Sequence, residues 1–140
     1  MWLVREVLIV DDHEMARDTL VGMVEHAGYP AVAFANPAGA LARIAEHRPA
    51  LILLDMMMPE IDGAEFLRRL AEIHDGADVP VIVVSAIGHL LQGMRRTDVR
   101  SVGVAAVLSK PVNYATLVAA IGRIIGPPDG GPSERPVREG

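Results

Sequence analysis

Five polar side chains stand behind short apolar runs of this sequence, where they could take part in phosphoryl or metal chemistry. Asp11 and Asp12 follow the run VLIV, and Asp55 follows LILL. Ser85 follows VIVV, and Lys110 comes two residues after AAVL. The carboxyl ends of parallel strands meet at one edge of a sheet, where ligands bind. We therefore expect these five side chains to converge if the runs form such a sheet.

The chemistry of this set is that of phosphoryl transfer onto a carboxylate. Three carboxylates and one lysine carry a net charge of about −2, which is unfavourable unless a carboxylate is protonated or a cation binds. Oxygen ligands suit Mg²⁺, or Mn²⁺ in its place. The metal and Lys110 would neutralise the phosphoryl oxygens, Ser85 would donate a hydrogen bond, and Asp55 would attack in line.

Each residue of the set also has an ordinary structural interpretation. An acidic pair before a helix commonly caps it, and a lone Asp or Ser after a strand commonly caps a turn. A lysine before a proline is commonly solvated. Independent structural roles do not explain why four of five strand ends carry such groups, so the combination favours a functional site.

Five continuously apolar runs predict the strands that position these residues. The runs are VLIV at 7–10, AVAFA at 31–35, LILL at 51–54, VIVV at 81–84 and AAVL at 105–108. Continuous runs are typical of strands covered on both faces in a parallel sheet. Segments with helical spacing separate them, and Asn36-Pro37 predicts an N-cap and first helical residue. The sequence predicts an α/β fold with a doubly wound parallel sheet and helices on both faces.

The composition indicates one globular domain. The chain has 140 residues, of which 51% are hydrophobic and 22% charged, and a net charge of −5. The negative charge argues against direct nucleic-acid binding by this segment. The absence of cysteine excludes disulfides, thiolate catalysis and cysteine zinc sites. No run approaches the roughly 20 apolar residues of a membrane span and no signal peptide is recognisable, so we expect a cytoplasmic protein without membrane contact.

The segments VLIVDDHEMARDTL, LILLDMMMPEIDG, VIVVSA and AAVLSKP resemble the receiver domain of two-component response regulators. The resemblance implies a flavodoxin-like sheet of five strands in the order 2-1-3-4-5. It also implies a phosphorylation-dependent signalling switch of a two-component system or phosphorelay. A sensor histidine kinase or histidine phosphotransfer protein would donate the phosphoryl group from phosphohistidine. Such a domain catalyses only its own phosphorylation and dephosphorylation, so we do not expect an enzyme.

The resemblance also implies metal ligands. Carried over by position, Asp12 resembles the direct metal ligand and Asp11 its water-linked partner. Asp55 resembles the phospho-accepting nucleophile, which also contacts the metal. Met57 would offer its backbone carbonyl to the metal, and its side chain would flank the phosphate.

Other positions of the family concern the phosphate and the output. Ser85 resembles the switch hydroxyl, Lys110 the phosphate-binding lysine, and the Lys110-Pro111 bond a cis peptide. Val107 departs from the family, which usually has an aromatic residue three positions before the lysine. This departure puts the coupling to output in doubt and leaves the transfer chemistry intact. We expect the predicted fourth helix, within residues 88–101, to report activation instead.

The domain is expected to span residues 1–125, with a flexible tail or linker over 126–140 because GPPDGGPSERPVREG lacks apolar periodicity. By analogy with the family, a downstream partner or output domain would contact the face of helix 4, strand 5 and helix 5. A stand-alone regulator and a piece of a longer regulator or hybrid kinase are both compatible with this sequence.

Two other functions compete with the phosphorylation switch. A haloacid-dehalogenase-type phosphatase would need a second acid at position 57, where Met57 cannot transfer protons. A phosphate-independent, receiver-like binding module is permitted by Val107. The five histidines show no ligand spacing and are not interpreted as a site, although His13 lies near the acidic edge.

Overall fold

The computed structural model describes residues 5–58, 62–73, 78–86 and 104–128. Strands and helices alternate along these residues with the following bounds: β1 Val7–Val10, α1 Glu14–His26, β2 Ala31–Phe34, α2 Pro37–Glu46, β3 Leu51–Leu54, α3 Gly63–Glu72, β4 Val81–Ser85, β5 Val104–Ser109 and α4 Tyr114–Ile125. The fourth helix predicted from the sequence, within residues 88–101, lies outside the described residues. The label α4 therefore denotes the fifth predicted helix, Tyr114–Ile125. Among the described residues, no helix has the length and apolar character needed to cross a membrane.

The strands form one parallel sheet in the order β2-β1-β3-β4-β5. This topology confirms the predicted doubly wound fold and its strand order. The central strands β1, β3 and β4 are buried along their whole length, while β2 and the greater part of β5 are half-buried at the edges. Continuous apolar runs were therefore the correct signal, because a strand between two helical layers must bury both of its faces.

Alternate strand residues supply two separate cores. Leu8 and Leu54 pack with residues of α2 and α3 on one face of the sheet. Ile9 and Leu53 pack with residues of α1 and α4 on the other face. Successive side chains of a strand point to opposite faces, so each central strand serves both layers. The sheet between the layers is a rigid support for whatever its strand ends carry.

Two strands extend further than their apolar runs. Ser85 is the last residue of β4 and Ser109 the last of β5, and the two are paired in register. The sequence predicted both serines to follow the strands rather than belong to them. The strand continues because pairing depends on backbone groups, which do not require an apolar side chain.

Asparagine and aspartate side chains fix where three helices begin. Asn36 Oδ1 accepts hydrogen bonds from the amides of Ala38 and Gly39, which confirms the predicted N-cap with Pro37 as the first helical residue. Asp62 caps α3 and Asn113 caps α4 in the same way. Each such cap satisfies an amide that the first turn of a helix leaves unpaired. The helices therefore start soon after the strand ends and keep that edge of the sheet compact.

The first residues of the segment predicted as tail or linker lie against the domain. The Tyr29 hydroxyl donates a 2.7 Å hydrogen bond to the carbonyl of Gly126, and Arg5 Nε donates to the carbonyl of Ile125 at 2.8 Å. Burial raises the pKa of Tyr29, while the nearby Arg5 lowers it. Pro128 packs so closely on Gly28 that a Cβ at Gly28 would lie 2.9 Å from the proline ring.

Candidate functional site

Three carboxylates and a lysine meet at the carboxyl-terminal edge of the sheet, as the sequence predicts. Asp11 and Asp12 follow β1, Asp55 follows β3, and Lys110 follows β5. The amide of Asp55 donates to the carbonyl of Val10 at 3.0 Å, so Asp55 is held directly beside the acidic pair by backbone pairing. The convergence follows from the sheet topology, because β3 lies between β1 and β4.

Asp55 is a buried carboxyl with one oxygen fixed and one oxygen free of hydrogen bonds. Its residue exposure is 3%, and its Oδ1 accepts a 3.0 Å hydrogen bond from the amide of Met57. Its Oδ2 is buried and accepts no hydrogen bond from the residues that the structure describes, although Lys110 Nζ lies 3.6 Å away. Burial raises the pKa of Asp55; Met57 and Lys110 lower it, and the charges of Asp11 and Asp12 raise it further.

Asp11 is saturated with donors. Lys110 Nζ donates to its Oδ2 at 2.7 Å, and the amide of His13 donates to its Oδ1 at 2.9 Å. The guanidinium of Arg17 donates to its backbone carbonyl at 2.9 Å. Asp11 is 1% exposed, so these donors replace the water that a buried carboxylate loses. Arg17 anchors the first turns of α1 to the backbone carbonyl of Asp11, and no sequence pattern had indicated that contact.

The acidic cluster fits a divalent cation. Oxygen atoms of Asp11, Asp12 and Asp55 lie within 4.8 Å of one another, together with a nitrogen of His13. Asp12 Oδ1, like Asp55 Oδ2, is buried and accepts no hydrogen bond from the described residues. Buried carboxylate oxygens without a donor are unfavourable, and carboxylate oxygen is the ligand that Mg²⁺ prefers.

Ser85 and Lys110 are joined by their backbones at the end of the sheet. The Lys110 amide donates to the Ser85 carbonyl at 3.0 Å, and the Ser85 residue is fully buried. The Lys110-Pro111 peptide is cis, as the family resemblance implies. These contacts place the serine and the lysine on neighbouring strand ends, next to the carboxylates.

Met56 and Met57 follow Asp55 directly, and the start of α3 packs against Met56. The amide of Gly63 donates to the carbonyl of Met56 at 3.1 Å, and a Cβ on Gly63 would overlap the Met56 side chain and lie 2.7 Å from its Cα. Only glycine permits this approach, which holds the start of α3 against Met56. The Met57 side chain is 54% exposed.

The model of the response regulator receiver domain family matches residues 7–122 of the chain. The chain belongs to this family. Its members are the receiver domains of two-component response regulators, which act as signalling switches and interact with histidine kinases or phosphotransfer proteins, and they are not classical enzymes. Receiver domains bind Mg²⁺ in an acidic pocket, which corresponds to the aspartate cluster of this chain.

Curated relatives and solved structures resemble this receiver domain over most of its length. The phosphate regulon transcriptional regulatory protein PhoB of Pseudomonas aeruginosa is 33% identical over 97% of the chain, which spans 58% of that protein. The polar-differentiation response regulator DivK of Brucella anthropi is 31% identical over 87% of the chain and 97% of its own length. The receiver domain of sensor histidine kinase PA1611 from Pseudomonas aeruginosa, with a magnesium ion in its active site cleft, has a TM-score of 0.75 and 28% identity over 89% of the chain and 99% of its own.

His13 is the member of the receiver site that sequence reasoning set aside. Its Nδ1 atom lies 3.3 Å from Asp12 Oδ1, 3.5 Å from Asp11 Oδ1 and 3.9 Å from Asp55 Oδ2. Ligand spacing such as His at i and i+4 reveals only histidines that share one helix. The position of His13 directly after the acidic pair was the available signal.

An apolar groove adjoins the receiver site. It has a volume of about 390 Å³ and runs between α1 and the segment after β5. Its lining residues are Met15, Ala16, Thr19, Leu20, Met23, Val84, Lys110, Pro111 and Val112. Met15 is 84% exposed at the end of α1 nearest the acidic cluster. Lys110 therefore belongs both to the groove and to the acidic cluster.

Proposed function

We propose that this receiver domain accepts a phosphoryl group from phosphohistidine onto Asp55, with Mg²⁺ or Mn²⁺ bound, and acts as a phosphorylation-dependent switch in the cytoplasm. One observation carries the proposal: Asp55 Oδ2 is a buried carboxylate oxygen that accepts no hydrogen bond within the described part of the chain, 3.6 Å from the Lys110 ammonium. A structural cap such as Asp62 is exposed, so water solvates the carboxylate oxygen that accepts no amide hydrogen bond. An oxygen kept free beside a cation is arranged for attack on an electrophile.

The chemical step uses the two oxygens of Asp55 differently. The Met57 amide holds Oδ1 at 3.0 Å and leaves Oδ2 to attack phosphorus. A bond forms between Oδ2 and phosphorus while the bond from phosphorus to the donor imidazole nitrogen breaks, and the imidazole departs with that electron pair. Lys110 neutralises charge on the transferred phosphoryl oxygens, and the Ser85 hydroxyl donates a hydrogen bond to one of them.

The carboxylates of Asp11, Asp12 and Asp55 and the backbone carbonyl of Met57 would hold the cation. When bound, it supplies positive charge for the phosphoryl oxygens. The buried Asp12 Oδ1 and Asp55 Oδ2 support this assignment in the unphosphorylated protein, because neither oxygen accepts a hydrogen bond from the described residues. Once Oδ2 is bonded to phosphorus, Asp55 would contact the cation through Oδ1. Asp11 accepts from Lys110 and His13, so it would act on the cation mainly through water, as the resemblance implies.

Incubation with acetyl phosphate and Mg²⁺ tests the proposed function. The expected result is a mass gain of one phosphoryl group on the intact protein, which disappears when the cation is chelated. The only further reaction expected is hydrolysis of this adduct, which returns the protein to its unphosphorylated state. A protein that never gains the group under these conditions would be a phosphate-independent binding module instead, and the proposal would be wrong.

Met57→Asn is expected to shorten the lifetime of the phosphorylated state severalfold. The exposed thioether of Met57 stands two residues after Asp55 and offers no hydrogen bond that would orient an attacking water. An asparagine amide would orient that water. The decay of the adduct after removal of acetyl phosphate measures the rate. Met15→Asn, at another exposed methionine, is the control, and equal lifetimes in Met57→Asn and wild type would remove Met57 from this role.

The groove along α1 would receive the histidine-bearing helix of the phosphodonor. The donor must bring its imidazole to Asp55, and the groove begins at Lys110, 3.6 Å from that carboxylate. Its lining is largely apolar, as the core of a helix-binding surface is. A phosphohistidine-bearing partner would therefore bury Met15.

Met15→Glu is expected to slow transfer from such a phosphotransfer protein by at least about tenfold, because an interface anchor becomes a buried charge. Its rate with acetyl phosphate, which needs no protein surface, should remain near that of wild type. Ala42→Glu, an exposed alanine on α2, is the matched control. A Met15→Glu variant that is slowed equally with both donors would contradict the docking site. A variant that keeps the wild-type rate with both donors would contradict it as well.

We place the output of the switch on the surface implied by the family analogy, where a partner or output domain would contact the helix predicted within residues 88–101, β5 and α4. Val107 is half-buried and packs against the core between the sheet, α2 and α3. Its aliphatic side chain has no ring to exchange between inward and outward positions, so we propose that output does not depend on an aromatic switch. The domain would occupy residues 1–125, and residues 126–140 would be the tail or linker.

A further inference from the structure

His13 places a nitrogen atom within the acidic cluster, where the family resemblance names only oxygen ligands. We propose that His13 coordinates the bound cation directly through Nδ1 and that this nitrogen gives the site a preference for transition-metal ions, such as Co²⁺ and Zn²⁺, over Mg²⁺. The inference rests on the cation site of the proposed function and concerns which metal that site selects.

The atoms available to a cation come from three residues. Asp12 Oδ1 and Asp55 Oδ2 are both buried and accept no hydrogen bond from the described part of the chain. The Asp55 side chain is 2% exposed, so bulk solvent does not solvate its free oxygen. Asp11 differs, because both of its oxygens already accept hydrogen bonds from His13 and Lys110. The two free oxygens and His13 Nδ1 therefore form the open face of the cluster.

The distances of His13 Nδ1 from the two free oxygens suit coordination. Zinc bonds to nitrogen and oxygen are about 2.0–2.2 Å long, so neighbouring ligands of a tetrahedral ion lie about 3.3–3.6 Å apart. His13 Nδ1 lies 3.3 Å from Asp12 Oδ1, and a small contraction of its 3.9 Å separation from Asp55 Oδ2 completes the set. The His13 side chain is 67% exposed, so its ring can make that adjustment without disturbing the core.

The identity of the donor atom determines which metal ion binds more tightly. Oxygen ligands suit Mg²⁺, whereas imidazole nitrogen strengthens binding of Co²⁺, Ni²⁺ and Zn²⁺. A purely electrostatic influence of His13 would change the affinity of all divalent ions alike, because they carry the same charge. The ratio of Co²⁺ to Mg²⁺ affinity therefore isolates coordination from the general field of the site.

Metal titrations of the unphosphorylated protein at one fixed pH test the inference. Visible absorption reports Co²⁺ binding, and calorimetry reports Mg²⁺ binding. His13→Asn and His13→Gln are each expected to raise the Co²⁺ dissociation constant by at least about tenfold. Mutating even a residue that only hydrogen-bonds to a metal ligand commonly weakens metal binding by that factor. The Mg²⁺ dissociation constant should change less than about twofold. His47→Asn, at an exposed histidine outside the cluster, should change neither constant.

A direct spectroscopic signature accompanies these titrations. Zinc binding should shift the imidazole nitrogen resonances of His13 in nitrogen-15 NMR spectra and leave those of His47 in place. Equal changes in both dissociation constants, unchanged Co²⁺ binding or an unshifted His13 resonance would each overturn the inference. No phosphodonor is present, so such a failure leaves phosphorylation of Asp55 untouched. Conversely, absence of a phosphoryl adduct would refute the proposed function without altering these metal affinities.

Discussion

Asp55→Asn is expected to abolish the phosphoryl adduct formed with acetyl phosphate and Mg²⁺, while making the protein more stable. The amide lacks the nucleophilic oxygen, so the adduct should fall below detection by intact-protein mass spectrometry. The same change removes one of three clustered carboxylates and leaves no buried anionic oxygen without a donor at this position. The free energy of unfolding should rise by about 1–3 kcal/mol at neutral pH without metal, as measured by urea denaturation.

The gain in stability should depend on pH in a defined direction. Burial raises the pKa of Asp55 above its ordinary value of 3.8, so the folded protein holds that proton more tightly than the unfolded chain does. Ionised Asp55 therefore destabilises the native state above its raised pKa, and this cost disappears as pH falls through that pKa towards 3.8. The advantage of Asp55→Asn over wild type should shrink over the same interval.

Asp18→Asn is the matched control, because Asp18 is an exposed carboxylate on α1. It should retain the adduct and change the free energy of unfolding by no more than about 0.5 kcal/mol. If Asp55→Asn still gains one phosphoryl group, another residue accepts it. If the variant is less stable than wild type at neutral pH, repulsion within the cluster is weaker than the attraction of the Asp55 carboxylate to Lys110 and to the Met57 amide.

The fold was predictable because burial on both faces leaves an unmistakable pattern in short strands. LILL and VLIV are continuously apolar and became the buried strands β3 and β1. Hydrophobic pattern alone does not say which strands are neighbours, and the order of the sheet came from the resemblance of four motifs to one family. The strand ends were less predictable, since Ser85 and Ser109 extend the ladder through backbone pairing.

The site was predictable in its residues and less so in its contacts. Asp12 and Asp55 belong to different strands, so no spacing along the chain could show that His13 lies 3.3 Å from one and 3.9 Å from the other. The hydrogen bond from Arg17 to the Asp11 carbonyl depends likewise on how α1 begins. The sequence identified which residues follow the strands, and the order of strands in the sheet determined which of their side chains lie together.

Lys110→Met is expected to lower both the phosphorylation rate and the stability. Its ammonium is the donor to Asp11 Oδ2 at 2.7 Å and lies 3.6 Å from Asp55 Oδ2. Removing a preorganised charge from a transferring phosphoryl group should slow phosphorylation by acetyl phosphate about 10²-fold. Leaving a buried carboxylate without its partner should cost about 3 kcal/mol of unfolding free energy at neutral pH without metal.

Lys110→Arg separates the two effects of that substitution. The guanidinium keeps the positive charge, so most of the stability should remain, but its planar fork does not reproduce the point charge that faces both carboxylates. The phosphorylation rate of Lys110→Arg should therefore fall, while its free energy of unfolding stays near the wild-type value. Saturating Mg²⁺ should restore part of the stability of Lys110→Met, because a cation that binds only the folded cluster adds its binding free energy. Wild-type phosphorylation in Lys110→Met would show that the lysine serves only to hold Asp11 in the fold.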